Sequence, residues 1–190
     1  KRDESLDAIR PLAKAMRLSW APRTAKGFFL RAEDFFNFSR RNRELSAELE
    51  GYAAQHDDDP RVKGYLLGQK RQLHDRYGNL EAVSHGEGFL RVFQSRIVAG
   101  GLYLLDEPEA ALSPHSQLGF LYLVKRAIQE GSQFIIATHS PIIASFPDAQ
   151  ILSFDQGRIE TVTYEELESV RLYRQFLQNP ASYLKRLFQE

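Results

Sequence analysis

The sequence predicts an α/β fold in which helices cover a parallel β-sheet. Short apolar runs typical of strands occur at 28–32, 102–105 and 134–137, and longer segments with apolar residues at helical spacing separate them. Strands that alternate with helices form βαβ units, whose strands run parallel. The chain has 190 residues, which is enough for one domain with a sizeable core.

The N-terminal part is predicted to be mostly helical. Residues from about 4 to 18 place their apolar side chains on one side of a helix, and a loop then leads to the strand at 28–32. Charged helical segments follow around 40–54 and 60–77. The acidic run between them favours a solvated loop, with Pro60 opening the second helix, over a metal site.

The C-terminal part alternates more regularly. Its predicted elements are, in order, a helix over 86–98, a strand over 102–105, a helix over 114–130, a strand over 134–137, and two strands over 151–154 and 158–162. Thr163 and Glu166 form a capping box for a helix that runs to about residue 178. Asn179 and Pro180 open a last helix.

Composition excludes several kinds of site. The chain has no cysteine, so disulfides, thiolate zinc sites and Cys nucleophiles are ruled out. Its five histidines show no metal-ligand spacing. No apolar run approaches the roughly 18–20 residues of a membrane span. We therefore expect no membrane insertion and a cytoplasmic location.

Charge is balanced over the whole chain but unevenly distributed. The formal net charge is zero, yet residues 1–43 carry eleven Lys or Arg against five acids. A basic segment of this kind can bind phosphate backbones, although it is more often a solvated face. Nucleic-acid binding is therefore an alternative that the sequence leaves open.

Two of the predicted strands end in residues suited to phosphate chemistry. The first delivers Asp106 and Glu107 to the carboxyl edge of the sheet, where α/β proteins bind ligands. One carboxylate there can hold Mg²⁺ and the other can deprotonate an attacking water, although such a pair is also common in solvated turns. The other strand is followed by His139, with Ser140 as an N-cap and Pro141 at the first helical position.

These motifs resemble those of the ATP-binding cassette (ABC) ATPases in order and spacing. Val83-Ser84-His85-Gly86-Glu87 resembles the cassette signature, 102–107 the Walker B strand, 110–113 the D-loop, and His139 the switch histidine. Asp106 follows Glu87 by 19 positions and His139 follows Glu107 by 32, and both spacings fit a cassette. The residues of these motifs are most similar to those of small bacterial ATPases of the AAA family or RecF/SMC-like type.

The resemblance covers nearly the whole chain and implies a P-loop NTPase-like fold. It implies one ABC-type domain over 1–190, with a small helical subdomain at about 40–83 before the signature. Asp106 would hold Mg²⁺ through water, Glu107 would polarise the attacking water, and His139 would contact the γ-phosphate. Glu33, after the first strand, would stand in for the residue that senses Mg²⁺.

The signature and D-loop residues would contact an ATP molecule held by a second copy. They are Ser84, His85, Gly86, Glu87 and Ser113. Ser84 and Gly86 are expected at a helix N-terminus, which favours anions. The sequence departs from the common signature at two positions, with His85 in place of Gly and Glu87 in place of Gln.

The phosphate-binding (Walker A) loop of that class does not occur in the sequence. No Gly-x-x-x-x-Gly-Lys-Ser/Thr is present, and the nearest string, at 64–70, has the wrong spacing. We therefore expect a chain that lacks its N-terminal phosphate-loop segment. By itself it would bind nucleotide poorly and be inactive, whereas the full-length protein would be an ATPase.

The function favoured by these features is ATP binding and hydrolysis, with Mg²⁺, by a homodimer that forms on ATP binding. The signature of one copy would face the Walker motifs of the other, and the client protein is not identified. The alternatives are a non-hydrolysing partner or regulatory subunit, the nucleotide-binding subunit of a transporter, and a DNA-repair or defence ATPase.

Overall fold

The structure, a computed structural model, describes residues 10–20, 23–77, 85–155 and 157–188. Its elements are, in order, α1 (Arg10–Ala15), β1 (Gly27–Arg31), α2 (Ala32–Gln55), α3 (Pro60–Tyr77), α4 (His85–Arg96), β2 (Leu102–Asp106), a first 3₁₀ helix (Pro108–Ala111), α5 (Pro114–Gln129), β3 (Gln133–Ala137), α6 (Pro141–Ala144), β4 (Ile151–Ser153), β5 (Glu160–Val162), a second 3₁₀ helix (Tyr164–Glu166), α7 (Glu168–Gln178) and α8 (Pro180–Leu187). The mixed α/β class that the sequence predicts is confirmed.

The central sheet has three parallel strands in the order β1-β2-β3. Gly27 begins β1 beside Leu102, and a Cβ at Gly27 would lie 1.8 Å from the Leu102 carbonyl oxygen. Only glycine fits this close approach, which is also made at a positive φ of 131°. The register ends at Arg31, Asp106 and Ala137, so the three strands finish level with one another.

The core lies between one face of the sheet and the helices α4 and α5. Tyr103 is fully buried, its ring stacks 4.9 Å from that of Phe134, and its hydroxyl donates to the Val98 carbonyl oxygen at 2.9 Å. On the helices, the Phe93 ring lies 5.1 Å from the ring of Phe120. Burial of these large rings fixes the sheet against the helices and so sets where the strands end.

The opposite face of the sheet carries a row of exposed apolar side chains. Phe29, Leu104 and Ile135 share one register row and are 54%, 37% and 57% exposed. Apolar residues therefore lie on both faces of the sheet, as is usual for parallel strands.

Several helix and strand boundaries differ from the sequence-based predictions. Helix α2 begins at Ala32, eight residues before its predicted start near residue 40, because Phe35 packs its ring 5.1 Å from that of Phe89. Ala32 therefore belongs to the helix, and β1 covers 27–31 instead of 28–32. The described part of the predicted helix at 4–18 is helical only over 10–15, and residues 1–9 lie outside the described part of the chain.

Helices α2 and α3 pack against each other and are connected by the predicted loop. Pro60 opens α3 as expected, and the Asp59 carboxylate accepts hydrogen bonds from Arg61 N and Val62 N at 3.0 and 3.3 Å. The hydrogen bond and charge of Lys63 hold the pKa of Asp57 below its usual value. The loop is thus a solvated, capped connection, while the division into a helical subdomain over about 40–83 stays a prediction.

The C-terminal elements follow the predicted order. Strands β4 and β5 pair antiparallel, and Asn179 caps α8 by accepting from Ser182 N at 3.1 Å. The predicted continuous helix after Thr163 is instead a short 3₁₀ helix and α7, which are separated at Leu167. In the part of the chain that the structure describes, no helix is both long and apolar enough to cross a membrane.

Candidate functional site

The carboxyl edge of the sheet, where β1, β2 and β3 end, holds an exposed ion pair. Arg31 and Asp106 are register partners, and Arg31 Nε lies 3.4 Å from Asp106 Oδ2. Both side chains are about half exposed, which leaves the carboxylate accessible from solvent. An ion pair this exposed contributes little to stability, so Asp106 remains available to a ligand at this edge.

A strained turn at Glu107 follows the end of β2. Glu107 has a left-handed backbone conformation, with φ 48° and ψ 51°, that L-residues rarely adopt. Its N–H donates to the Ala137 carbonyl oxygen at 2.9 Å, and Pro108 is buried directly after it. The turn therefore ties the end of β2 to the end of β3 and presents the Glu107 carboxylate at the edge.

The structure brings Glu107 and His139 together. His139 Nε2 lies 3.6 Å from Glu107 Oε1, and the two side chains are 88% and 56% exposed. The juxtaposition arises because both residues follow the ends of adjacent parallel strands. Their catalytic roles stay predictions, as does the role of Asp106.

Sequence reasoning missed Glu109, which joins the two motifs. It lies in the first 3₁₀ helix, and its Oε1 accepts hydrogen bonds from the backbone N–H groups of His139 and Ser140 at 2.6 and 3.2 Å. Its other carboxylate oxygen is buried and has no hydrogen-bond partner in the described structure. The one signal in the sequence is an additional acid directly after the Asp-Glu-Pro run, to which the sequence analysis assigns no role.

Residues 138–141, here called the switch segment, are also held from α5. Ser140 Oγ donates to Gln117 Oε1 at 2.5 Å, and both residues are buried. The same Ser140 oxygen caps α6 by accepting from Ile142 N and Ile143 N, as the sequence predicts with Pro141 at the first helical position. The switch segment is thus fixed by two independent side-chain contacts.

The predicted signature residues are only partly described. Ser84 lies outside the described residues, and His85 begins α4. Gly86 is buried, and a Cβ there would lie 2.9 Å from Ser116 Oγ at the start of α5. Glu87 is exposed in the first turn of α4. The absence of a side chain at Gly86 is therefore explained by packing within the chain, and phosphate contact stays a proposal.

Ser113, the predicted D-loop residue, is the N-cap of α5. Its Oγ accepts from Ser116 N at 3.1 Å and lies 2.9 Å from Ser116 Oγ. Ser116 thus touches Ser113 and closely approaches Gly86, so the first turns of α4 and α5 lie side by side. Of the predicted signature and D-loop residues, Gly86 and Ser113 are in this way brought close to the same side chain, Ser116.

The fit of this edge to Mg²⁺ depends on its oxygen donors. Asp106 and Glu107 provide carboxylates that solvent can reach, and Mg²⁺ is usually held by one or two carboxylates with water and phosphate oxygens. No group of three or more His, Asp or Glu side chains in the described ranges is placed to hold a metal by itself. Glu33 is exposed in the first turn of α2, just after the end of β1, and its role in sensing Mg²⁺ stays a prediction.

Comparison with known protein families identifies the family to which the residues of this edge belong. Residues 3–145, about three quarters of the chain, match the family described as "AAA domain, putative AbiEii toxin, Type IV TA system". The chain belongs to this AAA-domain family. The match contains the ends of β1, β2 and β3 and the whole switch segment, so the family covers every residue of the candidate site.

The AAA-family chain is also similar to two curated ATP-binding proteins. It is 29% identical over 110 residues to macrolide export ATP-binding/permease protein MacB 1 of Yersinia pestis bv. Antiqua, an overlap of 57% of this chain and 17% of the relative. It is 30% identical over 90 residues to cobalt import ATP-binding protein CbiO of Salmonella typhimurium, an overlap of 46% of this chain and 33% of the relative. The chain thus spans a third or less of either relative's length. No solved structure shows significant similarity to it.

Proposed function

We propose that this AAA-family chain provides the hydrolytic edge of an ATPase. The observation that carries the proposal is the convergence of Asp106, Glu107 and His139 at the carboxyl edge of a parallel sheet. Ligands of open α/β sheets bind at this edge. The AAA-domain family and the ATP-binding relatives support ATP as the ligand.

Each residue of the edge has a chemical task in this proposal. Asp106 would hold Mg²⁺ through water, and the ion would neutralise charge on the phosphates when bound. Glu107 would accept a proton from the attacking water, since its carboxylate is exposed beside the sheet edge. His139, 3.6 Å from Glu107, would donate to the γ-phosphate and keep the water in line.

We further propose that two copies enclose the ATP. The signature residues Ser84, His85, Gly86 and Glu87, with Ser113, would then face the nucleotide of the second copy. The start of α4 offers backbone N–H groups and a helix dipole that favour phosphate. We propose that the full protein is a cytoplasmic ATPase of the RecF/SMC-like type that acts on an unidentified client protein.

Glu107→Gln tests the hydrolytic role. In the protein as its gene encodes it, this change should lower kcat by a factor of roughly 10²–10⁴, which is the usual contribution of a general base. ATP binding, measured with a fluorescent analogue, should persist because Gln keeps the shape of the side chain. The matched control is Glu48→Gln, on an exposed position of α2, which should leave turnover unchanged. Turnover at the wild-type rate in Glu107→Gln would refute the assignment.

The same variant tests the sandwich. With hydrolysis blocked, ATP and Mg²⁺ should convert Glu107→Gln from monomer to dimer in sedimentation velocity, and ADP should not. A variant that stays monomeric with bound ATP would rule out dimerisation driven by nucleotide.

A non-hydrolysing partner subunit is the second candidate. It is favoured by one observation, since the first turns of α4 and α5 lie side by side and could face a nucleotide held by another ATPase. This candidate predicts no turnover by the protein alone, together with stimulation of a second ATPase that requires Gly86 and Ser113. A transporter subunit and a DNA-repair or defence ATPase stay alternatives, which transport and salt-dependent DNA-binding assays would separate.

A further inference from the structure

Glu109 links the turn that carries Glu107 to the segment that carries His139. We propose that it is a positioning residue, which holds the backbone of the switch segment so that the His139 side chain stays beside Glu107. The effect on turnover rests on the proposed function, whereas the effect on the backbone does not.

The contacts of Glu109 are those of a clamp. One carboxylate oxygen, Oε1, accepts from two consecutive N–H groups, those of His139 at 2.6 Å and Ser140 at 3.2 Å. Hydrogen bonds to an ionised carboxylate are shorter and about twice as strong as those between neutral groups. The Ser140 N–H also donates to Thr138 Oγ1 at 3.0 Å, so Glu109 acts mainly on the backbone at His139.

The His139 side chain has little else to fix it. It is 88% exposed, and the ion-pair partner of its Nε2 among the described residues, Glu107 Oε1, is 3.6 Å away, which is longer than a hydrogen bond. The position of the imidazole therefore depends on where its backbone is held. Misplacement of a reacting group by about 1 Å can cost around 10²-fold in rate.

The second oxygen of Glu109 argues against a role in packing alone. Oε2 is buried and has no hydrogen-bond partner among the described residues. A buried polar atom left without a partner is unfavourable by roughly 1–3 kcal/mol, so an apolar side chain would pack here at lower cost. The carboxylate of Glu109 is therefore explained by its other oxygen, Oε1, which accepts hydrogen bonds from the backbone of the switch segment.

The clamp and Glu107 belong to one rigid unit. Pro108 is buried between them, Ala110 N donates to the Glu107 carbonyl oxygen at 3.0 Å, and Leu112 N donates to the Glu109 carbonyl oxygen at 2.9 Å. A single 3₁₀ helix therefore sets the direction of Glu107 and, through Glu109, the position of His139.

Hydrogen exchange without nucleotide tests the backbone contact. In Glu109→Ala the His139 amide should exchange roughly ten to a hundred times faster than in the wild type, because its acceptor is gone. The Ser140 amide keeps Thr138 Oγ1 as an acceptor at 3.0 Å and should change less. Glu109→Gln keeps a carbonyl oxygen and should restore most of the protection. Glu48→Ala, on an exposed position of α2, is the control and should match the wild type. Unchanged exchange at the His139 amide in Glu109→Ala would overturn the proposal.

Kinetics test whether Glu109 acts through His139. Glu109→Ala should lower kcat about tenfold or more with KM for ATP within twofold, and Glu109→Gln should recover most of the loss. In a His139→Ala background, Glu109→Ala should cost less than about twofold further, because its target is already gone. An equal loss in both backgrounds, or a Glu109→Gln as impaired as Glu109→Ala, would overturn the positioning role.

The two proposals fail in different ways. If Glu107→Gln is inactive while Glu109→Ala behaves as the wild type, the positioning role is wrong and the proposed function stands. If the wild type shows no turnover that depends on Glu107, the proposed function is wrong. The exchange measurement then still decides whether Glu109 holds the switch segment.

Discussion

At the scale of single residues, Glu107 combines an unfavourable backbone with the most exposed carboxylate position of the turn. Its φ of 48° is left-handed, and a residue with a Cβ adopts that conformation at a cost of roughly 1–2 kcal/mol. The Ala137 carbonyl oxygen and the buried Pro108 hold the turn in place. Strain of this kind is concentrated at functional sites, which agrees with the task proposed for Glu107.

Replacing Glu107 by Gly and by Ala separates strain from chemistry. Both variants remove the carboxylate and should abolish hydrolysis. Gly adopts a positive φ without steric cost, so Glu107→Gly should be more stable to urea than Glu107→Ala by about 1 kcal/mol, although Gly adds entropy to the unfolded chain. An Ala variant as stable as the Gly variant would show that no strain is stored at this turn.

At the scale of elements, the short strands were predictable and the contacts between them were not. The apolar run at 102–105 predicts β2, and the resemblance to the cassette places Glu107 and His139 at one edge. Glu109 was not predictable, because its partners are backbone amides 30 and 31 positions away and nothing in the side-chain pattern marks a backbone acceptor. The early start of α2 was missed for a related reason, since Phe35 is held by a ring on α4.

The second 3₁₀ helix, which begins at Tyr164, offers a pH test at this scale. Glu166 accepts hydrogen bonds from Thr163 N at 2.7 Å and Thr163 Oγ1 at 2.9 Å, and these bonds hold the pKa of Glu166 below its usual value. A lowered folded pKa means that the stabilisation is complete above the unfolded pKa, about 4.3, and is lost as the pH falls through the folded pKa.

Glu166→Gln removes this titration but keeps a side-chain acceptor for Thr163. The wild type should therefore be more stable than the variant at pH 7, and the gap should close as the pH falls below about 4.3 and through the lowered folded pKa. Thermal unfolding of both proteins over that range measures the gap. A gap that is constant with pH would mean that the ionised cap contributes nothing.

At the scale of the whole molecule, the sheet has one face in the core and one exposed. All four residues of 102–105 are apolar, so the sequence predicts a strand buried on both sides and does not indicate which face the helices cover. The covered face is set by the aromatic residues of α4 and α5, which form one buried cluster with Leu105, and Phe93 of α4 also contacts the strand rings of Phe28 and Phe134. The exposed row of Phe29, Leu104 and Ile135 could be assigned only from the structure.

Two neighbouring leucines of β2 allow the burial of the two sheet faces to be compared by mutation. Leu105 is 2% exposed within the core cluster, whereas Leu104 is 37% exposed on the other face. Leu105→Ala should lower the free energy of unfolding by about 2–5 kcal/mol, because it removes buried methyl groups and leaves a cavity. Leu104→Ala, the same change one position earlier, should lower it by less than about 1.5 kcal/mol, since much of that side chain already contacts water. Urea unfolding of both variants gives the comparison. Equal losses would mean that the face carrying Leu104 is covered in the protein in solution, and the site edge would then lie at a sheet with two packed faces.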